Sequence, residues 1–581
     1  MRRFTYALLA LFLCAAGARA QNVPVQEVLL ENGLRVLMVP RKGDPNIAAG
    51  WITRTGSVNE RPGITGLSHL FEHMMFKGTR TIGTKNIDEN LKVLKEMDDV
   101  RAQIRAEEKD LIRRARLGEV SDIKDPKSRS ARHQQLLTRF DELTKSEKEL
   151  MVKDEFDRIY TTAGASGMNA GTSNDFTVYF INVPANKLEL WFWMESDRLQ
   201  NPVFREFYSE RDVVYEERRL RTDSTPTGKF DEQFEAMFWM SSPYGWPVVG
   251  WPSDLEGITR EEALDYFAVN YAPNNLTACL VGDFEPARAT ELARKYFGRL
   301  RRGPREPEPV RTQEMTQLAE QRMVAYAETT PQARVRYHTV ADGHPDDFAL
   351  GVLGDILSGR TGRLYKSLVL QQEVANNASA GQNGNKYEGY FELRGTAKPG
   401  KSPEELEQAL YKEVERLQKE PVPADELQKI KNQSAANQFR GLQSNFGLMV
   451  QLLLRDANRG WATINTDEAR TQAITPADLQ RVANKYFTPE NRTVAIYRTK
   501  AKAAGGAAED PALAGLSDQE KAQVQQLRAM LPQMKTAEQV RAILQQVEQR
   551  AGSAPPEKQK GLQLVKKMLE DRLKQLEGGT K

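Results

Sequence analysis

Residues 66–79, GLSHLFEHMMFKGT, place two of the chain's five histidines four positions apart, with Glu72 directly before the second. In a helix, positions i and i+4 share a face, so His69 and His73 point the same way with Glu72 beside them. Zinc in a hydrolytic site takes three protein ligands and keeps a fourth position for water. Two imidazoles one turn apart supply two of the ligands, at about 2.0–2.1 Å. A neighbouring carboxylate can then take a proton from water activated there. The other reading is a pair of histidines on an ordinary helix. H-x-x-E-H is a signature of inverted zinc peptidases, but three fixed letters do not decide between the two.

A third ligand must come from elsewhere. In SERDVVYEERRLR, Glu210 and Glu217 lie seven apart, two turns along one helical face, and Glu216 points away. The bland reading of that run is a solvated charged helix.

Several elements must position these groups. LLENGLRVLMVP alternates apolar and polar residues after an Asn-Gly turn signal, and NIAAGWITRTGS follows as a second strand. The histidine helix comes next. Residues 91 to about 157 are densely charged and carry helical stripes at Leu94, Met97, Ile104 and Leu111, and again at Leu136, Phe140, Leu143 and Leu150. Gly118 and Asp125-Pro126 break the pattern between them. This spacing predicts a helical hairpin inserted into a domain that resumes at GMNAGTSNDFTVYFINVP.

A weak repeat follows. Aligned at a constant offset of 216, ITREEALDYFAVNYAPNNLT (from Ile258) and ITPADLQRVANKYFTPENRT (from Ile474) share five of twenty positions, and both read as helix, Pro turn, strand. Two related halves are expected, within 21–300 and 320–499, joined by a polar linker at 301–319. A small-residue linker at 500–515 then leads to a helical tail at 516–581. The fold class is α+β.

The 581 residues are 40% hydrophobic and 28% charged, with a net charge of +3 and mean hydropathy −0.59. That balance calls for neither nucleic acid nor an anionic membrane surface. Residues 1–20 read as a signal peptide: Arg2 and Arg3, an apolar run from Tyr6 to Ala16, and Ala-Arg-Ala ending at Ala20. The run is too short to span a bilayer, and Leu13 argues against a lipid anchor at Cys14. An exported protein, periplasmic or secreted, is expected. Only Cys279 would remain after cleavage, so no intrachain disulfide is expected.

With these pieces in order, the chain resembles the pitrilysin/insulinase family of zinc metallopeptidases, in particular the processing-peptidase branch and its bacterial relatives. HLFEHMMFKGT resembles the family's inverted zinc motif, NAGTSNDFTVYF its edge strand and SERDVVYEE its second acidic motif. SPYGWPVVGWPSDLEGITREEALDYFAVNYAPNNLTACLVGDF also follows the pattern, and the resemblance covers roughly residues 26–499.

The resemblance implies one zinc per chain, held by His69, His73 and Glu217, with Glu72 as general base and Glu210 as a supporting acid. It implies that Asn169 and Ala170 meet substrate backbone. The 144 residues from His73 to Glu217 exceed the usual spacing, and the insert accounts for the excess. The second half has no H-x-x-E-H and is expected to be the silent wall of a clamshell chamber. Where the family carries a substrate-holding Arg and Tyr, this chain has Val369 and Asn376. A zinc-bearing endopeptidase subunit is therefore expected, acting on peptides or unfolded segments. It would pair with a second copy or another subunit that supplies the missing groups. The competing reading is a non-catalytic, chaperone-like or assembly subunit. His133, His338 and His344 show no ligand spacing and are expected at the surface.

Overall fold

The computed structural model describes residues 22–500 and, beyond them, 516, 520, 521, 524, 527, 528, 531, 537–553 and 556–578. The expected signal and all but Lys500 of the 500–515 linker lie outside the described residues.

The first sheet contains β1 (Gln26–Leu29), β2 (Arg35–Pro40), β3 (Asn46–Thr53), β4 (Ser166–Thr172), β5 (Thr177–Pro184) and β6 (Leu276–Gly282), in spatial order β1-β2-β6-β3-β5-β4. The second contains β7 (Gln321–Ala327), β8 (Gln332–Thr339), β9 (Ala375–Gly384), β10 (Gly389–Ala397) and β11 (Arg492–Thr499), in order β7-β11-β8-β10-β9. With β1 set aside, the two share one topology. In each, the last strand runs parallel to the first and antiparallel to the second, and a hairpin completes the other edge. This is the α+β arrangement of two related halves that the repeat predicts.

The helices that bear on the site are, in chain order, α1 (Leu67–Met74), α2 (Ile87–Arg116), α3 (Ala131–Leu150), α4 (Phe207–Arg218), α5 (Gly228–Phe238), α6 (Arg260–Asn270), α7 (Ala424–Gln443), α8 (Asn445–Asn458) and α9 (Pro476–Tyr486). The repeated segments form α6 with β6 and α9 with β11. Thr259 and Thr475 open the two helices with matching capping boxes, closed by Glu262 and Asp478. The charged stretch after α1 forms the pair α2 and α3. Their apolar stripes, Leu94, Met97, Val100, Ile104 and Leu143, join the core of the first half.

Each sheet borrows a helix from the other half. Phe234 of α5 packs on Ala325, Ala495 and Tyr497 of the second sheet. Leu448, Met449, Leu452 and Leu453 of α8 pack on Leu37, Val39, Ala48, Ile52, Cys279 and Val281 of the first. The exchange overturns one sequence expectation, because β2 does not alternate between core and solvent. Val36 and Met38 face the core beneath α1, Leu37 and Val39 face α8, and all four are buried. A strand covered on both faces reads as a continuous apolar run. Asp456 of α8 fastens this contact: its carboxylate, with no exposed side-chain surface, accepts from Arg35 (2.7 Å), Arg54 (2.6 Å) and Thr277 (2.5 Å).

The region from Ala501 onward forms a separate unit. Within it, α10 (Ala537–Ser553) and α11 (Pro556–Gly578) pack together through Val540 and Leu569. No helix among the described residues is long and apolar enough to cross a membrane.

Candidate metal centre

The helix bearing the histidines is held at its start by a buried carboxylate. Glu60 Oε2 accepts from the Gly66 amide at 2.7 Å and Oε1 from the Ser68 amide at 2.6 Å. These are donors that a helix N-terminus leaves without intrahelical partners. Burial pushes the Glu60 pKa up to about 8, against those hydrogen bonds. Gly66, at φ +90°, and Gly250 lie against each other, and a Cβ on Gly66 would sit 2.6 Å from the Val249 carbonyl. The entry to α1 therefore admits only glycine.

One turn apart on α1, His69 is buried and His73 half-buried, with ring centroids 5.1 Å apart. Glu217, near the C-terminal end of α4, reaches both. Its Oε2 lies 3.6 Å from His69 Nε2 and 3.3 Å from His73 Nε2. One ligand atom from each of the three residues falls within 4.8 Å of the other two, the one such group among the described residues. Ligands about 2.0–2.1 Å from a tetrahedral zinc lie roughly 3.3 Å from one another, so two imidazoles and a carboxylate at these separations fit that ion.

Glu210 stands behind the group. Its Oε2 lies 3.4 Å from His73 Nδ1 and its Oε1 2.5 Å from Lys77 Nζ. Accepting from Nδ1 would leave Nε2 free to ligate, the usual arrangement behind a metal-binding imidazole. Burial opposes the charge of Glu210, yet hydrogen bonds from His73 and Lys77 outweigh it and hold its pKa below the ordinary value. Burial lowers the pKa of His69 and favours the neutral, ligating form, against the fields of Glu72 and Glu217. Glu72 is outside the three-residue group. Its Oε2 accepts from Thr172 Oγ1 of β4 at 2.6 Å, so the base candidate is tied to the edge strand.

Asn169 and Ala170 lie on β4, the outermost strand of the first sheet. Asn169 is exposed, and its Oδ1 accepts from the Ala170 amide at 2.8 Å. Thr172, two residues on from Ala170, ties this strand to the histidine helix through Glu72. Sequence reasoning missed Thr172, Lys77 and Arg221. Arg221 lies 2.6 Å from Glu217 Oε1. Lys77 and Arg221 each follow a candidate ligand by four residues, a spacing that would have found them.

Two expectations need correction. His133 is buried in α3. His338 stacks on Phe238 at 3.9 Å, with both ring nitrogens buried. His344 is exposed, as expected, and its Nδ1 accepts from the Asp346 amide at the start of a helix. Packing from α5 buries His338, and its own sequence neighbours do not foretell that. At the two departures from the family pattern, Val369 is half-buried on the second-half core and Asn376 is exposed near the start of β9. The repeat offset carries Glu217 of α4 onto Gln433 of α7, which has no carboxylate to offer.

Known proteins resemble this chain in sequence and in fold. Residues 35–100 match the insulinase family (peptidase family M16), and residues 257–434 match the domain described as the peptidase M16 inactive domain. The chain is 25% identical over 483 residues to the zinc protease PqqE of Helicobacter pylori, covering 81% of this chain and 92% of that one. It is also 25% identical over 342 residues to a probable mitochondrial-processing peptidase subunit beta of Arabidopsis thaliana, covering 55% and 62%. The fold matches the crystal structure of a protease from Helicobacter pylori with a TM-score of 0.67 at 23% identity, over 82% of this chain and 100% of that one. It matches the periplasmic protease PqqL of Escherichia coli with a TM-score of 0.60 at 15% identity, over 85% and 49%.

Proposed function

The chain belongs to the insulinase/pitrilysin (M16) peptidase family, and from that premise we propose that it is an exported zinc-dependent endopeptidase. Its substrates would be peptides or unfolded segments that enter an enclosed chamber. The observation that carries this reading is the approach of Glu217 to both imidazoles from 144 residues further along the chain.

His69, His73 and Glu217 would hold one zinc ion. When bound, zinc polarises the scissile carbonyl and makes water at the open position more acidic. Glu72 accepts the proton from the attacking water and returns it to the leaving amine nitrogen. Thr172 fixes the orientation of that carboxylate. Glu210 accepts from His73 Nδ1 and keeps Nε2 aimed at the ion. The exposed edge of β4 at Asn169 and Ala170 would take the substrate as an added strand, which holds main chain with little demand on sequence. The Asn169 side chain would have to leave the Ala170 amide to allow this.

Val369 and Asn376 favour a shared chamber, in which a second copy or another subunit supplies an arginine and a tyrosine. The same two positions support a second reading, a non-catalytic assembly subunit. Zinc content and peptide cleavage, measured for the wild type and Glu72→Gln, separate the two. The endopeptidase reading expects about one zinc per chain in both and cleavage in the wild type alone. Equal cleavage by the two proteins would defeat it.

A further inference from the structure

α4 begins under backbone strain. Phe204 and Glu206 adopt φ of +54° and +55°, values that non-glycine residues rarely hold unless surrounding structure imposes them. The surroundings come largely from the inserted hairpin. Glu147 of α3, 1% exposed, accepts from the Glu206 amide at 2.8 Å. Asn90 of α2, fully buried, accepts from Arg205 Nε at 2.7 Å. The other Arg205 nitrogens donate to the carbonyls of Thr79 (2.6 Å) and Ile82 (3.0 Å) in the loop that leaves α1.

The same two segments meet again through side chains. Lys77 Nζ lies 3.1 Å from Glu206 Oε2 and 2.5 Å from Glu210 Oε1, and Glu210 Oε2 lies 3.4 Å from His73 Nδ1. A continuous set of contacts therefore runs from α3 through Glu147, Glu206, Lys77 and Glu210 to His73.

We propose that the inserted hairpin is a working part of the metal centre: Glu147 fixes the start of α4, and Lys77 is a positioning residue that passes this placement through Glu206 and Glu210 to His73. This rests on the zinc reading given above. A hairpin that only adds core would need no buried carboxylate on the strained amide from which the ligand-bearing helix starts. Lys77 acts through Glu210 and touches no reacting atom.

Zinc affinity of the full chain, measured by competition with a chromogenic chelator, provides the test, alongside thermal melts of the zinc-free protein. Lys77→Met and Glu147→Gln should each weaken zinc about tenfold, the range in which outer partners of metal ligands act. The double variant should be no weaker than the worse single one, because both act along one route. Lys77→Arg should stay within about threefold of the wild type, since it keeps the charge between the two glutamates. Asp98→Asn serves as control. It breaks the pair between Asp98 of α2 and Arg260, a contact outside the set that runs from Glu147 to His73, and should lower the melting temperature with zinc affinity unchanged.

Wild-type affinity in both Lys77→Met and Glu147→Gln would overturn the inference. So would multiplying effects in the double variant, loss in Lys77→Arg equal to that in Lys77→Met, or an Asp98→Asn loss matching Glu147→Gln. A wild-type chain that takes up no zinc would overturn the metal reading itself; tight zinc in every variant would overturn this inference alone.

Discussion

Thr172 Oγ1 donates to Glu72 Oε2 across 2.6 Å, joining the edge strand β4 to the helix that carries both histidines. A hydrogen bond to an ionised acceptor is worth about 1.5–3 kcal/mol, enough to hold one rotamer of a half-buried carboxylate. Thr172→Val should lower kcat at least about tenfold with zinc content unchanged, and Thr172→Ser should restore most of it. Peptide hydrolysis alongside metal analysis checks this. Unaltered kcat in the valine variant would remove Thr172 from the mechanism.

Asp456 carries the contact between the second half's α8 and the first sheet. It is enclosed by Arg35, Arg54 and Thr277, so Asp456→Ala strands partly buried arginines and a buried hydroxyl. Breaking one side of such a group costs about 3–5 kcal/mol. Urea unfolding should show that loss as a lower midpoint. A change below about 1 kcal/mol would mean the two arginines find new partners or water.

His338 should make stability depend on pH. Burial against Phe238 and Trp239 lowers its pKa from 6.5 to about 4, opposed by Glu314 and assisted by Arg336. Between those values the unfolded chain binds more protons than the folded one, so stability falls as pH drops from 6.5 toward about 4. His338→Phe keeps a planar ring and removes the titration. The difference in melting temperature between pH 7 and pH 5 should shrink in that variant; the same difference as in the wild type would place the pH sensitivity elsewhere.

The expected partner yields a gain-of-function experiment. If the missing Arg and Tyr limit the isolated chain, Val369→Arg with Asn376→Tyr should raise its peptide hydrolysis, by about tenfold or more for correctly placed donors. Both positions retain solvent access in the single chain, so the new side chains need not be forced into the core. Size-exclusion chromatography during the assay separates a monomer effect from a dimer effect. Full wild-type activity in a monomer would remove the need for a partner.

Parts of this architecture were legible in the residues themselves. The H-x-x-E-H spacing fixed which side chains share a helical face, since that depends only on a turn of 3.6 residues. The offset between Ile258 and Ile474 led to two halves because capping residues and Pro turns act over a few positions. The stripes at Leu94, Met97 and Ile104 located the hairpin for the same reason.

Other features could not be read locally. The burial of both faces of β2 follows from α8, which lies some four hundred residues along the chain. His338 is buried because a helix of the first half crosses to the second sheet. Glu147 had no local mark, since its partner is a backbone amide 59 residues away.

The amino-acid sequence alone determined the donor types, the pairing of His69 with His73 and the seven-residue interval between Glu210 and Glu217, because helical periodicity is set within a turn or two. Only the tertiary structure decided that Glu217 meets both imidazoles, that Thr172 holds Glu72 and that the hairpin meets the start of α4. Those contacts depend on the path of the whole chain between them, which packing selects and local periodicity does not encode.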